Sequence, residues 1–335
     1  MTSREDPRSQ AERWAQEGKR LPAAEAFLAL GLRERARSLV SALLQEAPDR
    51  PDLLLLHGRI LALGGDHEAA ATVLRRVCQQ GGASAEAHHE LARSLATLGE
   101  LDAALHHLGE ALHLDPTRLS AYETTAQLLW SLDKPRAAVE FLRRAVASLP
   151  ASELYLLLAR AAVVAQDGLT AQQAIRWLRA HTEPSAAREL ELGSLHLALG
   201  ELPQAEADFA VAAELAPDSP AVAHALATLC LERHQREEAE VHFRRALTLD
   251  ATHWPAMNDL GLLLLTQGRT AEAVRILRRA VSQQPGEAAS HLNLALALLA
   301  AGARVAARHH ARAALSLAGD SELAAQAGDL VRQIG

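Results

Sequence analysis

The 335-residue sequence is poor in several residue types, and each scarcity excludes a class of protein. Phenylalanine, tryptophan and tyrosine together make up 3% of the residues, and runs of β-branched residues, which mark strands, are absent. Alanine and leucine dominate instead, and that composition favours helix throughout. No apolar run reaches the roughly 20 residues that a membrane-spanning helix needs. We therefore predict no insertion into a membrane.

Cysteine occurs only at Cys78 and Cys230, far apart and on positions typical of helix packing. Buried free thiols are expected rather than a disulfide, which fits a reducing compartment. The N-terminal stretch MTSREDPRSQAERW has no apolar signal-peptide core and no cysteine for a lipid anchor. These features predict a cytoplasmic protein.

Lysine occurs only at Lys19 and Lys134, and asparagine only at Asn258 and Asn293, whereas arginine is abundant. We interpret this bias as the base composition of a GC-rich bacterial genome. The net charge of −7 is mild for the length and lacks the excess of basic residues typical of nucleic-acid-binding proteins. We therefore predict no nucleic-acid partner.

The most regular part of the chain is residues 254–285, which read WPAMNDLGLLLLTQGRTAEAVRILRRAVSQQP. Two amphipathic helices are predicted there, over residues 255–267 and 271–283, with a break at Gly268 and Thr270 as the second N-cap. Small residues such as Gly261 and Ala273 indicate where the two helices approach closely. Such a hairpin cannot bury both faces alone, so it needs a copy of itself on each side.

Copies recur with a period of 34 residues, as Pro116 with Pro150 and Pro217 with Ala251 and Pro285 show. A small residue recurs in the first helix, at Gly58, Ala92, Ala126, Gly193, Ala227, Gly261 and Ala295. Another opens the second helix, at Ala36, Ala70, Ala104, Ala138, Ala205, Ala239, Ala273 and Ala307. Four residues later stand Val40, Leu74, Leu108, Leu142, Phe209, Phe243, Leu277 and Ala311. The turn between the helices carries Gly31, Gly65, Gly99, Gly168, Gly200, Gly268 and Gly302.

At these positions the sequence resembles the tetratricopeptide repeat family, whose pattern is W-x2-L-G-x2-Y, then A-x3-F, then P, at a period of 34. The large aromatic of the first helix is mostly replaced, and Tyr122 is its nearest match. The resemblance implies an all-α fold, a right-handed superhelical solenoid of about nine helix-turn-helix repeats with terminal capping helices. The repeats are expected near residues 17–50, 51–84, 85–118, 119–152, 153–185, 186–219, 220–253, 254–287 and 288–319.

The two ends of the chain depart from the repeat pattern. Residues 1–8 are polar and are predicted to be disordered. A capping-box pattern from Ser9 to Glu12 predicts an N-terminal cap helix over residues 9–18, with the solenoid proper over residues 19–319. Residues 320–335 place Leu323, Ala327 and Leu330 on one stripe, which predicts an amphipathic C-terminal capping helix.

The fifth repeat fits the pattern worst. Aligned on Gly168, it is one residue short and carries Gln173 at the small position and Trp177 at the bulky one. A hinge, or a change in the path of the solenoid, is one interpretation. Ordinary drift in a tolerant array is the other, and it is the one we favour.

Sixteen histidines invite a metal-site hypothesis, but their spacing does not support it. The sequence His89-Glu90-Leu91-Ala92-Arg93 approaches H-E-x-x-H, with Arg93 where the second histidine should stand. Neighbours such as His106 and His107, or His309 and His310, do not face each other on a helix. No phosphate-binding loop and no G-x-S-x-G motif occurs. We predict no metal, no cofactor and no enzymatic activity, and an enzyme subunit or histidine-based metal binder is the least favoured alternative.

The resemblance implies that the first helices line a concave face through positions 2, 5, 6, 9, 12 and 13 of each repeat. In the N-terminal half these positions carry Asp52, Arg59, Glu86, His89, Glu90, Arg93, Glu123, Gln127 and Trp130. Arg59 and Arg93 share position 9 of adjacent repeats and are expected to stack, where an arginine pair can hold a carboxylate. Trp130 is the predicted apolar anchor beside them. The alternative is that the two arginines pair with glutamates of the same face.

In the C-terminal half the predicted concave positions are more apolar. They carry Leu190, Leu197, Leu231, Leu262, Leu265, Leu292, Leu296 and Leu299, the kind of surface that usually marks a partner site. Asn258, Asp259, Leu262 and Asn293 are the predicted contact residues. The lysine and asparagine set with which some family members clamp a C-terminal carboxylate is missing. Asn293 does match the inner-face asparagine of members that hold extended peptides.

An Arg-Arg pair recurs on four of the predicted second helices, at Arg75-Arg76, Arg143-Arg144, Arg244-Arg245 and Arg278-Arg279. These pairs predict either a basic ridge for an acidic partner or, as we favour, a solvated helix face with local glutamate pairing.

The function predicted from these features is a protein–protein interaction scaffold or adaptor that binds a peptide or helix of another protein in its concave groove. The alternative is a chaperone or assembly factor for a bacterial secretion, pilus or envelope complex. The partner itself is not predicted.

Overall fold

The computed structural model describes residues 6–79, 83–319 and 322–334, and every regular element within these ranges is an α-helix. Helices α1 to α7 are Pro7–Gln16, Arg20–Ala29, Arg33–Glu46, Pro51–Leu63, His67–Gln79, Ala85–Thr97 and Leu101–Leu114. Helices α8 to α14 are Leu119–Ser131, Pro135–Ser148, Ser152–Val164, Gly168–His181, Ala186–Ala198, Leu202–Leu215 and Pro220–Glu232. Helices α15 to α20 are Arg236–Leu249, Trp254–Thr266, Thr270–Gln283, Ala288–Ala300, Arg304–Leu317 and Glu322–Ile334.

The helices from α2 to α19 form nine consecutive hairpins, and α1 and α20 flank them in the described part of the chain. In every hairpin the residue two before the second helix has a positive φ. Glycine, which tolerates that conformation best, holds six of these positions, and Asp133, Gln166 and His234 hold the other three. The turn closes as at Gly268, where Arg269 N donates to Leu264 O at 2.9 Å. The predicted all-α solenoid of about nine repeats is therefore confirmed.

Small residues let the two helices of a hairpin touch. A Cβ atom added at Gly261 would lie 2.4 Å from Cγ of Leu277, and one added at Gly193 would lie 2.4 Å from Cε1 of Phe209. Neither distance is tolerable, so the glycine of the first helix receives the bulky residue of the second. This contact explains why the small and bulky positions recur in register along the sequence.

The chain divides into two compact units, residues 1–181 and residues 182–335. In the first unit, Phe27, Val40 and Ile60 pack together near the N-terminus, and Leu74, Leu91 and Leu108 pack further along. The second unit contains a long core in which every hairpin from α14 to α19 takes part, with Phe243 and Leu260 fully buried.

The predicted alignment of repeat five is wrong. Gly168 is the first residue of α11, and Gln166 holds the left-handed turn position with φ 57°. Counted from there, the packing positions carry Ala171, Ile175 and Leu178, all buried, so the repeat is regular inside. The missing residue lies before it, because the loop between α9 and α10 has three residues, 149–151, and the fully described loops between other repeats have four.

The helix ends also differ from the predicted ones. Helix α1 begins at Pro7 rather than Ser9, with Asp6 as its N-cap and no capping box at Ser9. Thr270 is the first residue of α17, whose N-cap is Arg269. The disorder predicted for residues 1–8 falls mostly on residues 1–5, which lie outside the described part, as do residues 320, 321 and 335 of the predicted capping helix. Within the described part, α20 buries Ala327, Leu330 and Ile334.

Candidate partner-binding faces of the first helices

In the first unit, the charged residues of the first helices α4 and α6 are largely paired with each other. Arg59 Nη1 donates to Glu86 Oε1 at 2.9 Å, and Arg93 Nη1 lies 3.3 Å from Glu90 Oε2. Asp52 accepts from the neighbouring Arg50, whose guanidinium lowers the pKa of that carboxyl. The expected pairing of arginines with glutamates of the same face is therefore present. Each arginine uses one Nη atom in its bond, so the other guanidinium N–H groups point elsewhere.

Arg59 and Arg93 nevertheless line one cavity of about 180 Å³, here named the arginine cavity. Leu63, which is 55% exposed, and Ser94 belong to its wall. His67, at the start of α5, contributes a ring whose Nδ1 is shielded from solvent and has no hydrogen-bond partner among the described residues. The cavity combines two arginines, the glutamate Glu90 that pairs with Arg93, a histidine and an aliphatic side chain.

The other predicted residues of this face have different surroundings. His89 is buried, its ring Nε2 lies 2.9 Å from Thr124 Oγ1, and burial lowers the pKa of its imidazole. Glu123 and Gln127 are exposed. Trp130 is half-buried, and its indole Nε1 is shielded without an acceptor in the described ranges. Trp130 does not line the arginine cavity.

A recurring hydrogen bond connects neighbouring first helices, from position 5 of one repeat to position 6 of the next. His89 and Thr124 are one such pair in the first unit. In the second unit, His224 Nε2 lies 2.7 Å from Asp259 Oδ2, and Asn293 Nδ2 donates to Asn258 Oδ1 at 3.0 Å. The partners are 35 residues apart in every pair. The predicted contact residues Asn258, Asp259 and Asn293 therefore hold adjacent repeats together.

The second unit has a cavity of about 290 Å³, here named the leucine cavity, between α14 and α16. Leu231, Leu262 and Leu263 form its apolar wall, and Arg236 and Asp259 stand at its edge. Of the predicted leucines of this face, Leu262 and Leu296 are exposed, Leu292 is buried at 5%, and the rest are half-buried. Most of the predicted apolar face is therefore at least partly accessible.

The arginine and leucine cavities occupy the same place in their repeats. Their equivalent residues, in the order of the repeat, are Ala62 and Leu231, His67 and Arg236, Glu90 and Asp259, Arg93 and Leu262, Ser94 and Leu263, and Thr97 and Thr266. The scaffold thus repeats one cavity with two chemistries, cationic in the first unit and apolar in the second.

The Arg-Arg pairs of the second helices make contacts of their own. Arg245 Nη2 donates to Pro217 O at 2.9 Å, Arg279 Nη2 donates to Ala251 O at 3.1 Å, and Arg76 bonds Asp49, each in the loop before its own repeat. Arg75 pairs with Glu100, Arg144 with Glu140, and Arg244 with Glu240 and Glu272. These contacts support local pairing rather than a continuous basic ridge.

The histidines cluster in pairs that join the two helices of a hairpin. The Nδ1 atoms of His88 and His107 are 3.0 Å apart, and those of His291 and His310 are 3.1 Å apart. Burial lowers the pKa of His88, His107 and His310. Among the described residues there is no group of three or more histidine, cysteine or acidic side chains placed to hold a metal ion. Cys78 and Cys230 are both free and half-buried, and burial raises the pKa of the Cys78 thiol to about 11.

Models of the tetratricopeptide repeat match residues 21–85, 85–118, 156–220 and 230–289, which is more than half of the chain. The chain belongs to the tetratricopeptide repeat family. Tetratricopeptide solenoids present extended concave surfaces for protein partners, so the chain is a protein-interaction scaffold. No curated protein matches its sequence.

Three solved structures are similar to this tetratricopeptide protein. Yeast Tom70 is 12% identical with a TM-score of 0.62, and the match covers 98% of this chain and 94% of Tom70. A tetratricopeptide repeat protein from Parabacteroides merdae is 15% identical with a TM-score of 0.54, over 74% of this chain and 98% of that one. The Cut9–Hcn1 heterotetramer of the APC/C is 17% identical with a TM-score of 0.48, and the match covers 90% of this chain but 58% of that one. At these identities the first two matches show the shared fold alone.

Within the described ranges, no helix has both the length and the apolar surface that crossing a bilayer requires.

Proposed function

We propose that this chain is an adaptor that binds a peptide or a helix of a partner protein along its first helices, through the arginine cavity in one unit and the leucine cavity in the other. The observation that carries the proposal is their equivalence in register. The same place in the repeat forms a cavity in both units, but the cavity is cationic in one and apolar in the other. A surface of this kind can bind different side chains of a partner at successive repeats.

The arginine cavity suits a carboxylate on the partner. The side chain of Arg59 is 39% exposed and that of Arg93 is 54% exposed, so both guanidinium groups are within reach of solvent. A carboxylate between them would bond guanidinium N–H groups that Glu86 and Glu90 leave unused, and charge-assisted bonds of that kind are strong and directional. Leu63 provides apolar contact beside them.

The leucine cavity suits an aliphatic or aromatic side chain. Leu262 is 39% exposed, and Leu231 and Leu263 stand beside it in the wall. Burying such a side chain yields about 25 cal/mol per Å² of apolar surface removed from water. Arg236 and Asp259 at the edge fit the polar backbone of a peptide. Arginine-rich, lysine-poor composition and two free thiols support a bacterial cytoplasm as the setting of this adaptor.

The test is affinity capture with the wild-type chain, followed by binding assays on each purified partner. The variant Arg59→Glu/Arg93→Glu reverses the charge of the arginine cavity, and Leu231→Glu/Leu262→Glu introduces charge into the leucine cavity. The matched control is Arg75→Glu/Arg144→Glu, because both arginines are exposed on second helices and are paired with glutamates in the same manner. We expect each cavity variant to reduce binding about tenfold or more, as loss of a hot-spot residue does, and the control to bind like the wild type. Equal binding by all four proteins would sink the proposal.

A further inference from the structure

A second groove of the first unit lies between the second helices α9 and α11, with residues of the first helix α10 in its wall. It consists of two cavities, of about 240 Å³ and 370 Å³, that share Arg143 in their linings and therefore adjoin. Val146, Tyr155 and Trp177 line one end, and Arg136 lines the other. We name these five residues and the space between them the outer groove.

The apolar end of the outer groove contains a stack of three rings. The ring centroids of Tyr155 and Trp177 are 3.8 Å apart with an interplanar angle of 9°, and those of Trp177 and His181 are 4.3 Å apart at 10°. Both faces of the indole are therefore covered, which leaves no open face on Trp177 for a nucleic-acid base to stack on. The half-buried edge of the indole remains, next to Val146 and Leu158, and this surface suits an apolar side chain.

Trp177 also departs from what other repeats place at its position. The equivalent residues Arg76, Arg245 and Arg279 reach back to the preceding loop between repeats. In repeat five the arginine is replaced by tryptophan, and the preceding loop is the three-residue one, 149–151. In repeat five, an aromatic side chain therefore lies where the arginine of those other repeats contacts the preceding loop.

The polar end of the outer groove offers cations that have no internal partner. Arg136 and Arg143 are exposed, and neither makes a hydrogen bond or ion pair within the described part of the chain. Two acids lie near them: Glu140 pairs with Arg144 at 3.1 Å, and the pKa of Asp167 is lowered by its bonds with Thr170 and also by the charge of Arg143. Arg136, Arg143 and Arg144 thus outnumber Glu140 and Asp167 at this end, and the excess positive charge is complementary to a carboxylate on a partner.

We infer that the outer groove docks an extended segment of a partner protein that places one large apolar side chain against Trp177 and acidic side chains against Arg143 and Arg136. The two arginines lie seven residues apart on α9, about 10 Å at a rise of ~1.5 Å per residue. A peptide in the extended polyproline II conformation rises about 3.1 Å per residue with three residues per turn, so side chains three residues apart lie on one face about 9 Å apart. The segment therefore carries two acids three residues apart, with the apolar residue beside the acid that meets Arg143.

The probes are fluorescein-labelled synthetic peptides of both chain directions, L-x-E-x-x-E and E-x-x-E-x-L, with glycine and serine at x. Companion peptides carry lysine for glutamate or serine for leucine. Binding to the full-length chain is followed by fluorescence anisotropy. We expect saturable binding of at least one direction and none with either companion.

Two variants locate the binding. Trp177→Arg introduces the residue that four other repeats carry at this position, and it should weaken binding about tenfold or more, the size of effect seen when an aromatic anchor is lost. Arg143→Glu should abolish it, whereas Arg278→Glu, the same repeat position in the second unit, should not. The helical circular dichroism of Trp177→Arg should match that of the wild type, since an arginine at this position is compatible with the repeat.

Several results would overturn the inference. They are the absence of binding in both directions, equal binding of the lysine peptides, and loss of binding in Arg59→Glu/Arg93→Glu, which would locate the peptide in the arginine cavity. Self-association that disappears in Trp177→Arg would assign the groove to a second copy of the chain instead. Only the loss of binding in Arg59→Glu/Arg93→Glu bears on the arginine cavity, and it would support the proposal made for that cavity, so the two proposals fail separately.

Discussion

His196 Nδ1 donates to Asp208 Oδ2 at 2.6 Å in the interior of the hairpin formed by α12 and α13, where both side chains are about 5% exposed. In other repeats the position of the histidine carries residues such as Leu61 and Leu264. The position of the aspartate carries Val73 in repeat two and Ile276 in repeat eight, and a histidine in three further repeats. A polar pair has thus replaced an apolar contact in one repeat without changing the fold.

The first prediction concerns this pair. His196→Leu leaves a buried carboxyl group without its imidazole partner and should lower the free energy of unfolding by about 3–5 kcal/mol, as removing the hydrogen-bond partner of a buried acidic group does. The double variant His196→Leu/Asp208→Val reproduces the apolar residues of repeat two and should be about as stable as the wild type. Urea unfolding of the wild type, both single variants and the double variant measures the coupling. Additive effects of the two single changes would show that the pair is not coupled.

The second prediction compares two helical glycines. Gly109 lies within α7, and a Cβ there would meet nothing within 4 Å, so Gly109→Ala should stabilise the chain by about 0.5–1 kcal/mol. At Gly193 the added methyl meets the ring of Phe209, which is 1% exposed and has no room to move, so Gly193→Ala should destabilise it by about 1–3 kcal/mol. Thermal unfolding of both variants checks the difference in sign. A stabilised Gly193→Ala would show that α12 and α13 separate easily.

The third prediction concerns the stability of the chain at acidic pH. Burial lowers the pKa of His57, His88, His89, His107, His242, His253 and His310 below the ordinary value of 6.5. Between each lowered pKa and 6.5 the unfolded chain binds more protons than the folded one, so the free energy of unfolding must fall as the pH drops below about 6.5. Above that pH these histidines are neutral in both states and have no such effect.

His242 provides the control for the pH prediction, because its Nδ1 is buried and has no partner in the described ranges. His242→Ile, which copies Ile276 of the next repeat, should raise stability by about 1 kcal/mol through removal of an unsatisfied group. It should also reduce the acid dependence. Urea midpoints measured from about pH 8 to pH 5 test both effects. A flat profile for the wild type would contradict the role assigned to the buried histidines.

Much of the fold was predictable because close helix packing restricts residue size. Ala70 and Leu74, or Ala273 and Leu277, recur since only small and bulky residues fit where two helices touch. The alignment of repeat five on Gly168 was wrong because a sequence shows where glycines are but not which residue adopts the left-handed backbone conformation of the turn. Gln166 takes that conformation at a cost of about 1 kcal/mol, and Gly168 two residues later begins a helix.

The candidate site was predictable in position but not in its contacts. Arg59 and Arg93 do line one cavity, as their shared repeat position suggests. The bonds of Arg59 to Glu86 and of Asn258 to Asn293 span 27 and 35 residues, and helix spacing rules do not cover such separations. For the bonds between first helices, the available signal in the sequence was a pair of polar residues spaced 35 residues apart, which is one repeat plus one residue. For the outer groove the sequence showed only that repeat five is one residue short and contains Trp177. It showed neither which loop is shorter nor the stack of rings from two helices.

The bond between Asn258 and Asn293 has one more consequence. Both amides lie on the face where a peptide is proposed to bind, and each already holds its neighbour at 3.0 Å. A ligand that takes the N–H of Asn293 now donated to Asn258 breaks this bond, so part of the binding energy gained there is offset by lost cohesion between α16 and α18. A ligand bound to this face of the repeats would then also change how firmly adjacent repeats are held together, and so how stiff the solenoid is.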